Sequence, residues 1–353
     1  MGLLEETINR IEPADATWRA RARERLEQLT MPHWALGRLM DLAEDLAAMT
    51  RSMHPPVDTR TVVTMAADHG VVEEGVSKYP QEVTLQMVRN FVAGGAGINA
   101  LSGVADARVR IVDMGVAGDL EALAQSGSII SRPVGPGTEN IARGPAMSRP
   151  QAVEAIEAGI EIAQDLAADT DVFGTGDMGI GNTTPSAAVL CAITDVSPAE
   201  ATGRGTGIDD ERLEHKIEIV RRALDVNQPD GNDGLDVLSK VGGFEIGGIA
   251  GLVLAAAAER KPVLVDGLIS TAGALIAQSL CAESADYMIA AHRSVEQGHA
   301  LMLRHLNKHP LLELDMRLGE GTGAAAAMPL VECAVRILTD VASFQEAAVS
   351  EAG

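Results

Sequence analysis

Apolar and polar positions alternate along this chain in two distinct rhythms. Over residues 3–50 the rhythm is helical: Leu36, Leu39, Ala43 and Leu46 recur near the 3.6-residue period, with Arg38, Asp41 and Glu44 on other faces. Pro32 punctuates this region and His54-Pro55-Pro56 closes it. Short apolar runs then follow at 61–66, 108–112, 172–173, 262–265 and 287–290. Each runs into polar residues or glycine: Asp68-His69-Gly70, Asp113-Met114-Gly115, Gly174-Thr175-Gly176-Asp177, Asp266-Gly267 and His292-Arg293-Ser294. Helical stretches separate the runs, which predicts an α/β fold with a parallel, helix-flanked sheet. Ligands of such sheets lie beyond the carboxyl ends of the strands, so Asp68, Asp113, Asp177, Asp266 and Ser294 are expected around one cleft. The last helix carries Leu330, Ala334, Ile337, Val341 and Phe344 on one face and is expected to pack on the N-terminal helices. The predicted organisation is a helical part at 1–55, an α/β body at 56–328, and a helix at 329–353 completing a small domain built from both termini.

Three glycine-rich loops interrupt these rhythms. The first, Gly174 to Gly181, reads as a strand-to-helix turn, with Asn182, Thr183 and Thr184 available to cap the following helix. The second, Gly203-Arg204-Gly205-Thr206-Gly207, precedes a helix opened by Asp209-Asp210, whose apolar face is expected at Leu213, Ile217, Val220 and Leu224. Successive N–H groups in such a loop can cradle an anion. Lys216, two turns into that helix, could reach a phosphate or could be an ordinary solvated lysine. The third loop, Leu318 to Gly323, carries one carboxylate, Glu320, between glycines. The Gly/Ala-rich stretch 246–258 reads as close helix packing.

Composition narrows the possible partners. The formal net charge of −22 leaves little cationic surface for nucleic acid, and 2% aromatic residues leave no stacking platform for bases. The three cysteines, Cys191, Cys281 and Cys333, are widely spaced among small apolar residues and read as buried free thiols. No signal sequence or bilayer-spanning run is evident, so a cytoplasmic protein without membrane partners is expected. His69, His292 and His299 lack metal-ligand spacing, and no metal or cofactor is expected.

Taken together, several stretches are far more specific than any one of them. These are Ala67-Asp68-His69-Gly70-Val71, Gly75-Val76-Ser77, 79–87, Asn90-Phe91 with Gly94-Gly95-Ala96, 176–184, 203–207, Val265-Asp266-Gly267, 292–296 and 318–323. In this order and at these intervals the chain closely resembles the nicotinate-nucleotide–dimethylbenzimidazole phosphoribosyltransferases of cobalamin lower-ligand assembly, from about residue 60 to 330. The resemblance implies a Rossmann-like sheet, a small helical domain and a homodimer. It implies transfer of 5-phosphoribose from nicotinate mononucleotide to 5,6-dimethylbenzimidazole, giving α-ribazole 5′-phosphate and nicotinate. Glu320 would be the catalytic base, and Ser77, Gln86, Met178 and Leu318 would line the benzimidazole site. Gly174, Thr175, Gly176 and Asp177, the loop Gly203, Arg204, Gly205, Thr206 and Gly207, and Lys216, Asp266 and Ser294 would hold the nucleotide. Many members of that family carry Glu where this chain has Asp177, which argues for a supporting and not a direct catalytic role there.

The residues agree with that chemistry. A base attacking ribose C1′ must shed a proton, and one carboxylate can accept it, while the pyridine leaves neutral and needs no acid. The donor carries a phosphate monoester, which glycine-loop N–H groups and Lys216 could neutralise without a metal. Two other readings compete. A nicotinamide-dependent oxidoreductase would use Gly174-x-Gly176-x-x-Gly179 and need an acidic residue ending the next strand; Asp195 lies near that distance. A non-catalytic nucleotide-binding protein would have no use for Glu320.

Overall fold

The computed structural model describes residues 2–205 and 207–350, within which lies one parallel sheet of six strands. These are β1 (Arg60–Ala67), β2 (Ala107–Gly115), β3 (Ile130–Ser131), β4 (Val172–Met178), β5 (Val263–Val265) and β6 (Met288–Ala290). Their order is β3-β2-β1-β4-β5-β6, and every neighbouring pair is parallel. The chain therefore leaves β1 first in one direction and later in the other. The gap between β1 and β4 is the topological switch point, where open α/β sheets take their ligands.

Both faces of the sheet are covered, as the apolar strands require. Alternate residues of β1 serve opposite layers: Val63, Met65 and Ala67 join one core cluster, Val62 and Ala66 the other. The first layer includes the helices Arg149–Ala167 and Phe244–Ala258. They touch backbone to backbone: a Cβ on Gly159 would stand 2.7 Å from the Gly248 carbonyl carbon, and one on Gly251 would stand 2.9 Å from that of Ile156. Small residues in 246–258 thus serve packing. The second layer combines the helix Arg38–Thr50, which buries Met40, Ala43, Leu46 and Ala47, with the helix Thr322–Asp340. Leu36, expected on the first of these, lies before it and is exposed.

Thr322–Asp340 is long and apolar enough to cross a membrane by length and composition, but it packs against Arg38–Thr50 and β4. It runs through residue 329, so the expected boundary there falls inside a helix. It ends at Asp340, and Val341 is extended. Phe344 begins a separate short helix, tied to the N-terminal region by Thr30 N–H to Ala342 O at 3.0 Å and Phe344 N–H to Gln28 O at 3.0 Å.

Three other expectations change. β4 does not stop at Phe173 but continues through Gly174 and Gly176 to Met178. Those glycines make room inside the sheet: a Cβ on Gly174 would lie 2.9 Å from Met328 Cε, and one on Gly176 would lie 2.7 Å from the carbonyl carbon of Glu320. The two-residue β3 was too short to register as a pattern. Cys191 and Cys281 are buried, whereas Cys333 is exposed on its helix.

Candidate active site

The carboxyl ends of β4, β5 and β6 open into a cleft of about 110 Å³, walled by Asp177, Asn182, Thr183, His292, Ser294 and Leu318 among others. A recess of about 50 Å³ shares the wall from Gly179 to Thr183 and extends it to Ser77, Arg204, Gly205 and Lys216. A larger hollow of about 410 Å³ lies between Arg38–Thr50 and β6, but no glycine loop borders it. Asp68 and Asp113 stand outside the cleft, fastening loops at the β1–β2 side. Asp68 Oδ2 accepts Ala117 N–H at 2.8 Å, and Asp113 Oδ1 accepts Gly115 N–H at 3.0 Å and Val116 N–H at 2.9 Å.

Glu320 is positioned by its backbone. Gly319, Glu320 and Gly321 all have positive φ (83°, 64° and 94°), a conformation that a non-glycine residue adopts only under constraint. The constraints are visible: Glu320 N–H donates to Asp177 O at 3.2 Å, and Thr64 Oγ1 donates to Glu320 O at 2.8 Å. The side chain turns to the N-terminus of the helix Gly97–Val104, where Oε2 accepts Ile98 N–H at 3.0 Å. Burial raises this carboxyl above its ordinary range, against the pull of the Ile98 and Gly97 N–H groups. The residue is 5% exposed and is on the wall of neither the cleft nor the recess; its loop meets the cleft through Leu318 and Gly319.

Asp266 holds that loop from beneath. Fully buried, it accepts Gly321 N–H at 3.1 Å through Oδ2, and Gly323 and Ala324 N–H at 2.6 and 3.1 Å through Oδ1. Burial pushes its carboxyl up to about 7, although these three donors draw it down. In this structure its oxygens serve the chain itself. Gly174, Thr175 and Gly176 likewise lie buried inside β4 and border neither the cleft nor the recess. Thr175 Oγ1 accepts Asp266 N–H at 3.1 Å. Asp177 does border the cleft. Its Oδ2 accepts Asn182 Nδ2–H at 3.0 Å, while its buried Oδ1 has no partner among the described residues. Burial first, then the nearby charges of Asp266 and Glu245, raise it well above the carboxylate range.

Lys216 is 1% exposed and belongs to the buried stripe Lys216, Ile219, Val220, Ala223 and Asn227. That stripe is rotated from the expected Leu213-Ile217-Val220-Leu224 face, and it turns the amine inward. Nζ donates to Thr183 Oγ1 at 2.7 Å and Gly203 O at 3.4 Å. Burial lowers its pKa to about 8, partly opposed by the charge of Glu296. The glycine loop brings Gly205 N–H to 3.1 Å from Glu296 Oε2. Gly207, with φ of 101°, has no described atom within 4 Å of its Cβ position. Arg204 turns back on its own loop, donating to Ile208 O at 3.0 Å and pairing with Asp210. Thr206 lies outside the described residues.

Ser294 lies on the cleft wall, held by a relay. Its N–H donates to His299 Nδ1 at 2.9 Å, and His299 Nε2 lies 3.0 Å from Thr271 Oγ1, which donates to Gly267 O at 2.7 Å. Burial lowers His299 to about 3, so the ring is neutral and its Nε2–H points to Thr271. Among the acceptor-site candidates, Met178 and Leu318 line the cleft and Ser77 the recess. Gln86 sits on the exposed side of the helix Glu82–Val92 and borders neither.

Sequence reasoning missed His292 and Glu296 on the cleft wall and the Gly97–Ile98 N–H groups that receive Glu320. His292-Arg293-Ser294-Val295-Glu296 following an apolar run was the available signal for the first two. The oxidoreductase reading fails on geometry: Gly174 and Gly176 are strand residues, and Asp195 caps the C-terminus of the helix Thr183–Thr194 instead of ending a strand.

Comparisons with known proteins point the same way. A family model described as a phosphoribosyltransferase matches residues 11–349. The chain is 62% identical over 351 residues to the nicotinate-nucleotide–dimethylbenzimidazole phosphoribosyltransferase of Syntrophotalea carbinolica, covering 99% of both chains. It is 55% identical to the protein of the same name from Desulfotalea psychrophila, again over 99% of both. The crystal structure of CobT from Thermus thermophilus superposes with a TM-score of 0.91 at 46% identity, covering 95% of this chain and 100% of that one.

Proposed function

The chain belongs to the nicotinate-nucleotide–dimethylbenzimidazole phosphoribosyltransferase family, and from that premise we propose how its residues carry the reaction. The enzyme transfers 5-phosphoribose from nicotinate mononucleotide to 5,6-dimethylbenzimidazole, yielding α-ribazole 5′-phosphate and nicotinate. One ring nitrogen of the acceptor forms a bond to C1′ as the C1′–pyridine bond breaks, and the pyridine takes that electron pair. Glu320 accepts the proton from the acceptor's other nitrogen, so no cationic azole accumulates. Displacement in a single step inverts C1′ and converts the β-nucleotide to an α-ribotide.

The observation that carries this assignment is the Glu320 carboxylate, fixed between two glycines of positive φ and raised by burial toward the pH at which a base works. Lys216, Thr183, Gly205 and Ser294 form the phosphate and ribose end, and Met178 and Leu318 flank the acceptor. Asp266 and Asp177 act as positioning residues. A cytoplasmic homodimer belongs to the same reading. Sedimentation would test the dimer. Incubation with nicotinate mononucleotide and 5,6-dimethylbenzimidazole, followed by mass spectrometry, is the deciding assay. Both products appear if the proposal holds; absence of both with every azole acceptor removes it.

A further inference from the structure

The phosphate end of the cleft already contains an anion of the protein's own. Glu296 is 8% exposed, borders the cleft, and its Oε2 takes the Gly205 N–H at 3.1 Å. A Cβ on Gly203 would collide with the same carboxylate, so glycine there admits it. Its charge acts on Lys216, the buried cation of this end. One loop N–H, a group a phosphate monoester would need, is thus engaged by a side chain, while the ammonium is held by Thr183 Oγ1 and the Gly203 carbonyl.

We propose that Glu296 holds the place of the donor's phosphate in the empty enzyme and must be displaced by it, making Glu296 a determinant of which anions enter. The inference rests on the assignment of Lys216 and the 203–207 loop to the phosphate. Two anions cannot share one loop N–H at low cost. A phosphate dianion, with more charge and three acceptor oxygens, displaces a carboxylate, whereas the uncharged 5′-hydroxyl of a nucleoside does not.

The movement required is small. The main chain of Glu296 is pinned: its N–H donates to Ser294 Oγ at 3.3 Å, its carbonyl accepts His299 N–H at 3.0 Å, and it is the N-cap of the helix Gln297–His305. Displacement is therefore a side-chain rotation that leaves Ser294 and the helix in place. The vacated Gly205 N–H and Lys216 Nζ then face the phosphate together.

The test is calorimetric titration of inorganic phosphate into the full-length protein and its variants. Glu296→Gln keeps an acceptor for Gly205 but removes the charge, and is expected to bind phosphate on the order of tenfold tighter. Glu296→Ala removes the competitor altogether and should shift affinity in the same direction, which guards against a variant that does not fold. Nicotinate mononucleotide should show the same tightening in both. Equal or weaker phosphate binding by the Glu296 variants, with binding lost in Lys216→Ala, overturns the inference but leaves the phosphate site intact. Phosphate binding unchanged in Lys216→Ala as well overturns the site assignment itself.

Discussion

The two glycine loops of the cleft look alike on paper and differ in what their glycines are for. In the loop carrying Glu320, every glycine is hemmed in. A Cβ on Gly319 would lie 3.2 Å from Asp177 Oδ2, one on Gly321 2.5 Å from Val62 Cγ1, and one on Gly323 2.6 Å from Asp266 Oδ1. In the 203–207 loop the glycines differ: a Cβ on Gly203 would collide with the Glu296 carboxylate, one on Gly205 would sit 3.2 Å from Thr183 Oγ1 and 3.5 Å from Lys216 Nζ, while Gly207 faces open space. The first loop is packed so that one carboxylate has a single position. The second is tight at Gly203 and open at Gly207, with its Gly205 N–H held by Glu296. A glycine therefore signals close approach at one position and mere turning freedom at another, and only its neighbours tell which.

The contrast breaks first if Glu320 proves dispensable. Glu320→Ala is expected to lower kcat by about 10²–10⁴-fold while nicotinate mononucleotide still binds, as removal of a general base predicts. Steady-state kinetics with parallel calorimetry reads both quantities, and an unchanged kcat would end the assignment. At the 203–207 loop, Lys216→Ala should leave kcat within a few-fold and raise KM for the nucleotide roughly 10- to 100-fold, the range of one charged hydrogen bond.

The pH profile separates the same two groups. The log of kcat/KM should fall on the acid side as Glu320 takes up a proton at its raised pKa. On the alkaline side it should fall above about 8, where Lys216 loses its own. Lys216→Arg stays charged and should abolish the alkaline limb alone. Smallest, and most pointed, is a pair of alanines. Gly321→Ala meets Val62 at positive φ and should cost about 1–3 kcal/mol of stability together with activity. Gly207→Ala meets no described neighbour and should cost only about 1 kcal/mol for its left-handed φ. Denaturant titration of both proteins checks the pair; equal costs would mean that the loops do not differ as described.

Much of this was legible before any coordinates. Strand ends rich in Asp, Gly and Ser pointed to the edge of the sheet where the cleft opens, though Asp68 and Asp113 lie outside it, and a carboxylate isolated among glycines drew attention to Glu320. What stayed hidden depends on partners distant in sequence. Gly174 and Gly176 imitate a turn because glycine weakens any strand pattern, and only the approach of Met328 and the Glu320 carbonyl explains them. Asp266 looks like a ligand because it ends a strand. Its three N–H donors arrive from 55 or more residues away. Lys216 betrays its burial only once the helix is seen to rotate by about one position, and Glu296 reads as one acid among many.

The paired helices Arg149–Ala167 and Phe244–Ala258 carry a last consequence. Because Gly159 and Gly251 let their backbones meet, no side-chain layer separates them that could loosen while the helices stay formed. Local breathing has no foothold there, and their amide hydrogens should exchange with solvent only when the whole domain opens. Isotope exchange along these two helices would thus report the protein's global unfolding equilibrium.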